Sequence, residues 1–480
     1  MKRLTLAVGP AILAIALITS PPGTLTEDGW RVAGVAVWMA LWWLTAIVPM
    51  EATALIPIVV LPLIGPRSIE DVTASYANPI IFLFLGGFFL AATLERWDLH
   101  KRFAMATVRI AGTEARHVLL AFMLASAFLS MWISNTATAV MMLPIAGAVV
   151  GGMDADAAEA PNRFPVALLL GVAYSCSIGG VATLIGTPPN AIFAGAAQEL
   201  LGIDVGFGAW LVVGLSAAVP LLACCWLLLV RLFGVTGRVP GLDTLVERET
   251  AAMGKLSGSE KYILGVFGAT AMAWMFRAPK VIGGLRVPGL SDLLPGVSDA
   301  GIAIAAAVLL FVIPLSGNAR FRVALNWESA KKIPWGILLL FGGGLALASA
   351  FADSGLTEWI GGGLQQLRGA PRPLVFLVTA ALFVFLTELT SNTATAALGM
   401  PLMAGAAIGL GLDALPLMAV AALASSMAFM LPVATPPNAI VFGSGRLEVS
   451  DMARAGLWLN LVSIFVVTLV VSLWADWLGG

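Results

Sequence analysis

Residues 133–144 read ISNTATAVMMLP. Ser134, Asn135, Thr136 and Thr138 form a knot of neutral hydrogen-bonding groups in a stretch that is otherwise apolar and carries no charge. Composition identifies the surroundings. The chain has 480 residues, 59% hydrophobic and only 11% charged, against about 25% charged in soluble domains. This is the composition of an all-α polytopic membrane protein. In a bilayer core, irregular polar backbone survives only where protein or a water-filled cavity surrounds it. The knot therefore marks a break in the helical pattern at membrane depth, and whatever binds there binds inside the membrane.

Several function classes fall away on composition. Lys and Arg number 26 against 27 Asp and Glu, and no basic face or charged tail is present to hold nucleic acid. Cys176, Cys224 and Cys225 lie in apolar runs without disulfide or metal spacing. His100 and His117 stand among basic residues with no cysteine or carboxylate cluster, which fits an interfacial position better than a metal site. No nucleophile–base pair is visible, so no enzyme activity is expected.

Apolar runs near 5–21, 32–49, 52–65, 79–95, 164–193, 207–230, 261–276, 299–315, 334–352, 414–442 and 456–478 read as spans, judged against the roughly 20 residues that cross a bilayer. The first lacks an A-x-A-type cleavage site and reads as a retained helix. Two further stretches, 117–150 and 373–410, carry a polar knot in the middle and read as re-entrant hairpins. With eleven spans and two hairpins, the basic groups around Lys2, Arg96–Arg116, Arg231–Lys261, Arg320–Lys332 and Arg446–Arg454 all fall on one side. That side is the cytoplasm by the positive-inside bias, which puts the N-terminus inside and the C-terminus outside. The opposite loops still carry Arg277, Lys280, Arg286, Arg368 and Arg372.

The knot recurs. TELTSNTATAALGMP places Ser391, Asn392, Thr393 and Thr395 at an offset of 257 from the first copy, and LFLGGFFLA (83–91) matches LFGGGLALA (340–348) at the same offset. Downstream, IGTPPNAI (185–192) matches VATPPNAI (433–440) at offset 248, a nine-residue deletion between motifs. Such self-similarity marks a duplicated unit. Five spans separate the two starts, so the copies run in opposite directions. Inverted repeats with interrupted helices point to a transporter's midplane binding site. The expected organisation is N-terminal scaffold helices at 1–75 and a first repeat core at 76–233, with hairpin 117–150 and broken helix 164–199. A cytoplasmic loop and scaffold helices follow at 234–332. The second repeat core spans 333–445, with hairpin 373–410 and broken helix 414–445, and a C-terminal helix closes the chain at 446–480.

Pro188-Pro189 and Pro436-Pro437 break their helices and force the preceding threonine out of the helical region. The carbonyls of Gly186 and Ala434 lose their intrahelical partners and are free to face a cation. The restarting half-helices, and the N-cap residues of the SNT turns, are expected to offer N–H groups to an anion. No Lys or Arg occurs from 118 to 162, 164 to 230 or 373 to 445. A buried anion without an opposite charge is costly, and each helix N-terminus contributes only about 0.3–2 kcal/mol. Co-bound cations must supply the rest, so cation and anion should each need the other.

SNTATA in two hairpins, followed by GTPPNAI and ATPPNAI, resembles the divalent-anion:sodium symporter family, the INDY-like carboxylate transporters. The resemblance covers nearly the whole chain. It implies a homodimer of eleven-span protomers in which a transport domain moves past a scaffold like an elevator. It implies symport of a C4-dicarboxylate such as succinate, malate or fumarate with Na+ at two or more sites. Alternatives on the same fold are a sodium-independent dicarboxylate exchanger and a sodium-coupled citrate or sulfate transporter; the large soluble insert of some sulfate-transporting relatives is absent. Carried over residue by residue, Ser134, Asn135, Thr136, Ser391, Asn392 and Thr393 hold the substrate carboxylates. Thr187, Thr435 and Pro436 are neighbouring contacts, with Val441 a weaker candidate. Ser130, Ser134, Asn135 and Gly186 form one sodium site, and Thr387, Thr390, Asn392 and Ala434 the other. Thr390 stands where the family often has a smaller residue. The expected setting is a bacterial inner membrane, with lipid around the protein.

Plainer readings stand beside these. Ser and Thr in membrane helices often bond back to their own helix or glue neighbours together, but that does not explain two paired copies. Gly86-Gly87 and Gly342–Gly344 read as close-packing surfaces, and WMALWWL (38–44) as a packing or dimer surface. Glu388 has Met131 as its first-repeat counterpart, so it lies outside the repeated site, as a hairpin-locking or proton-linked acid. A channel or an inert scaffold gives no reason for two opposed polar breaks.

Overall fold

The computed structural model describes residues 2–65, 67–154, 163–282, 285–315 and 322–478. Arg320 of the fourth basic group and the last two residues of the C-terminal segment lie outside them. The first block holds α1 (Lys2–Ile18), α2 (Glu27–Thr45), α3 (Met50–Thr53), α4 (Ile56–Ile64) and α5 (Ile69–Tyr76). Next come α6 (Pro79–Arg96), α7 (Leu99–Ala111), the hairpin α8 (Ala115–Ser130) and α9 (Asn135–Asp154), the broken pair α10 (Phe164–Gly180) and α11 (Pro188–Leu201), and α12 (Phe207–Leu232). A connecting region contains α13 (Leu242–Met253), α14 (Gly258–Met275), α15 (Leu290–Leu293), α16 (Asp299–Val312) and α17 (Trp327–Ala330). The second copy has α18 (Trp335–Asp353), α19 (Leu356–Leu364), the hairpin α20 (Arg372–Leu389) and α21 (Asn392–Leu410), the broken pair α22 (Ala414–Ala424) and α23 (Pro436–Phe442), and α24 (Val449–Leu478). A short 3-10 helix (Gln365–Leu367) and two small antiparallel ribbons, Lys280–Ile282 with Leu285–Val287 and Pro314–Leu315 with Arg322–Val323, complete the described elements. The chain is an all-α membrane protein, and six of its described helical segments are long and apolar enough to cross a bilayer.

The duplication is visible in backbone detail. Asp98 and Gly355, 257 residues apart, both take the left-handed conformation (φ 51° and 74°) and start α7 and α19. Gly112 and Gly369 repeat the pattern at φ 68° and 93°. Close packing is duplicated too. A Cβ on Gly86 would overlap the backbone of Ala303, and one on Gly343 would overlap the backbone of Ala54, so these glycines let helix axes approach.

Contacts between the copies are exchanged pairwise. α9 packs on α23 while α21 packs on α11, and α10 meets α23 while α22 meets α11. Such reciprocity is what a two-fold relation generates. The two broken helices lie at the centre: α10 is buried along almost its whole length, and α22 is buried from Leu415 to Ala424. α7 buries Leu99, His100, Ala104, Met105 and Val108 and exposes its other face, the pattern of a helix lying along an interface rather than crossing it.

Candidate functional site

The site is built from two short turns and two breaks. α8 ends at Ser130 and α9 starts at Asn135, so the chain reverses within a few residues and brings the two side chains together. Ser130 Oγ donates to Asn135 Oδ1 at 2.6 Å. The second hairpin repeats this: Thr387 Oγ1 lies 2.7 Å from Asn392 Oδ1, and also 2.7 Å from the Ser425 carbonyl. Ser130 and Thr387 are fully buried behind these contacts. Ser134 caps α9, its Oγ accepting from Ala137 N–H at 3.3 Å; Ser391 makes no side-chain cap and keeps its hydroxyl for other partners.

At the breaks, Thr187 and Thr435 are extended (φ −143° and −138°), as a residue before proline must be. The asparagine of each TPPN motif then turns back over the unwound chain. Asn190 Nδ2 donates to the carbonyls of Gly180 (3.3 Å), Val181 (3.1 Å) and Thr183 (2.7 Å). Asn438 Nδ2 donates to those of Ala428 (3.2 Å) and Leu431 (3.0 Å). Gly180 and Thr183 correspond to Ala428 and Leu431 at offset 248, so the brace is duplicated. Gly186 has room for no side chain, because a Cβ there would fall on the Gly180 carbonyl.

One expectation is corrected. The half-helices after the breaks offer few donors, because their first two positions are prolines, which have no N–H. The next N–H groups are taken internally, Asn190 by the Thr187 carbonyl and Asn438 by Thr435 Oγ1. Donors for an anion come instead from the starts of α9 and α21. There the N–H groups of Asn135, Thr136, Asn392 and Thr393 fall in the first turn, which has no intrahelical acceptors.

These elements enclose a cavity of about 720 Å³. From the first repeat Ser134, Asn135, Thr136, Gly186 and Thr187 line it; from the second, Thr390, Ser391, Asn392, Thr393, Ala434, Thr435 and Pro436. Val441 does not reach it. Val441 is fully buried and lies two residues beyond Ala439, which does line the wall, so it points about 200° around the helix. Thr390 Oγ1 is occupied by the Leu386 carbonyl (2.9 Å) and by Thr395 Oγ1. In the first repeat Ile133 takes that place, and Thr138 Oγ1 has no hydrogen-bond partner among the described residues.

Sequence reasoning missed the opposite wall, formed by Trp43, Glu51, Phe84, Phe88 and Ile337 among others. Trp43, read above as packing surface, is buried with its Nε1 on the Met50 carbonyl (3.2 Å) and also borders the cavity. Among the described residues no Lys or Arg lines it; the charged ones are Glu51 and Glu388.

The family model described as the sodium:sulfate symporter transmembrane region matches residues 2–480. A Staphylococcus saprophyticus protein, the sodium-dependent dicarboxylate transporter SdcS, is 39% identical over 474 residues, covering 97% of this chain and 90% of its own. Its namesake in Staphylococcus aureus strain COL is 40% identical with the same coverage. The crystal structure of the Alcanivorax borkumensis YdaH transporter overlays with a TM-score of 0.59 at 15% identity, covering 94% of this chain and 99% of that one, a likeness of fold alone.

Proposed function

Since the chain belongs to the sodium:sulfate symporter family, we propose that it carries a C4-dicarboxylate across the membrane together with Na+. The observation that carries this reading is the matched pair of oxygen clusters beside a cavity whose described lining holds no lysine or arginine. Ser130 and Asn135 meet near Gly186, and Thr387 and Asn392 near Ala434. Hydroxyl, amide and carbonyl oxygens suit a hard cation, and we assign one sodium to each cluster, with Ser134 and Thr390 completing the sets. The dicarboxylate lies between them, one carboxylate at the start of α9 (Ser134, Asn135, Thr136) and the other at the start of α21 (Ser391, Asn392, Thr393). Thr187, Thr435 and Pro436 border it.

Coupling follows from electrostatics. Helix N-termini and hydroxyls alone do not offset two buried negative charges, so the anion binds well only over loaded cation sites. Conversely, cations held by neutral oxygens gain from the anion between them. The linkage is reciprocal.

The cavity is walled by the end of α2 and the start of α18. The positive-inside assignment puts these ends, and the cavity mouth, on the cytoplasmic side, with the N-terminus inside and the C-terminus outside. In this reading α8–α12 and α20–α24 form the moving transport unit and the remaining helices a scaffold, through which two copies pair in a bacterial inner membrane. Labelled succinate binding to the purified protein in sodium and in choline tests the coupling. Binding in sodium alone is expected; equal binding in choline overturns the reading.

A further inference from the structure

Glu388 lies in the last turn of α20 and is 4% exposed. Its Oε1 accepts from the backbone N–H of Phe429 (2.7 Å) and Met430 (2.8 Å) and from Asn460 Nδ2 (2.7 Å); its Oε2 accepts from Leu431 N–H (3.1 Å). All four partners are donors, the arrangement that an acceptor-only carboxylate requires. Phe429–Leu431 belong to the unwound stretch between α22 and α23, and Asn460 to α24. One side chain therefore ties the hairpin tip, the break and the C-terminal helix together. No lysine or arginine occurs from 373 to 445, so dipoles alone balance the charge among the described partners.

The first repeat has no such device. Met131 stands in the place of Glu388, and the matching stretch is held through its carbonyls, as the second is in part by Asn438, but without a carboxylate. Val181 O accepts from Trp210 Nε1 (3.1 Å) and, with Thr183 O, from Asn190 Nδ2, while Thr183 Oγ1 donates to the Met131 carbonyl. Two otherwise matched ends thus differ by one buried negative charge. That charge sits one residue from Thr387, whose hydroxyl meets Asn392.

We propose that Glu388 is a positioning residue of the second-repeat cation site: its anionic carboxylate clamps Phe429–Leu431, fixes the backbone leading to Ala434, and makes this end of the cavity the tighter sodium site. The inference rests on the sodium-coupled reading above. Its clamp is geometric, and its charge is unshared by the first repeat, so the two sites are not equivalent even though Ser130 and Asn135 are matched by Thr387 and Asn392.

The test uses the full-length protein with Glu388→Gln, which keeps the shape and an acceptor but loses the charge, and Glu388→Asp, which keeps the charge on a shorter stem. Sodium-induced thermal stabilisation is measured in detergent without succinate. Sodium half-saturation and succinate KM are measured in proteoliposomes. Glu388→Gln is expected to raise sodium half-saturation by about tenfold or more, the effect of removing a unit charge several ångström away, with succinate KM at saturating sodium unchanged. Glu388→Asp is expected to keep near-wild-type sodium dependence. If Glu388→Gln does not purify, Asn460→Leu, which strips one donor and leaves the charge, is expected to leave sodium half-saturation unchanged or lower it. Wild-type sodium dependence in Glu388→Gln, or an equal shift in Glu388→Asp, overturns the proposal. So does succinate-driven lumen acidification that Glu388→Gln alone abolishes, since the residue would then carry a proton. A wild-type protein indifferent to sodium overturns the functional reading itself.

Discussion

Replacing Asn190 with alanine isolates the brace over the first break. Asn190 is fully buried and supplies donors to three carbonyls, with Thr183 O the closest at 2.7 Å. Val181 O keeps Trp210 Nε1 as a partner, so the loss falls on Gly180 and Thr183. A buried carbonyl left without a donor costs about 1–3 kcal/mol, and Thr183 O retains only a long contact from Gly186 N–H at 3.4 Å. A cost of about 2 kcal/mol for the ordered loop is therefore expected, the low end of two such losses. If the loop must be ordered to present the Gly186 carbonyl, apparent sodium affinity falls with the ordered fraction, by up to about 30-fold. The twin variant Asn438→Ala loses two contacts, and Leu431 O keeps Ala434 N–H at 3.2 Å, so its penalty should be smaller. Asn190→Asp should be worse than alanine, because it aims a carboxylate at carbonyls. Sodium half-saturation of succinate uptake and the sodium-dependent shift of the melting midpoint measure all three. Wild-type sodium response in Asn190→Ala with an unchanged midpoint refutes the brace, and Asn438→Ala more impaired than Asn190→Ala refutes the bookkeeping behind it.

Ser130→Ala and Thr387→Ala each remove one hydroxyl that orients an asparagine oxygen. Each should raise sodium half-saturation about fivefold, the equivalent of roughly 1 kcal/mol, while succinate KM at saturating sodium stays put; uptake at graded sodium reads this out. Gly343→Val drives a side chain into the Ala54 backbone and should lower the melting midpoint in detergent by an overpacking cost of about 1–3 kcal/mol or more. Gly86→Val should do the same against Ala303. Val441→Ala, which does not reach the cavity, should leave succinate KM unchanged and cost stability, as a fully buried truncation does.

The duplication and the residues at its centre were legible in the sequence because the two copies kept the same letters at constant offsets. Ser134 and Ser391, or Gly186 and Ala434, could be paired before any coordinates existed. α7 and α19 were not legible, since they are short and too polar on one face for a hydropathy window, although Asp98 and Gly355 open both in the same left-handed turn. The braces of Asn190 and Asn438 sat in plain view inside TPPN, but the letter N alone does not say which carbonyls it meets. The lack of donors after each break was deducible, because two prolines remove two N–H groups. In the far wall Trp43 and Glu51 come from helices outside the repeated motifs, while Phe88 lies inside the repeated stretch 83–91; in neither case does a local pattern mark which face of the helix borders a cavity. The role of Glu388 required seeing three backbone N–H groups converge on it from residues some forty positions away.

The central claim is that cation and dicarboxylate travel together. Labelled succinate uptake into proteoliposomes, with an inward sodium gradient and with choline in place of sodium, tests it most directly. The account predicts uptake above equilibrium only with the sodium gradient. Uptake that ignores sodium and requires dicarboxylate loaded inside the vesicles would make the protein an exchanger and contradict it.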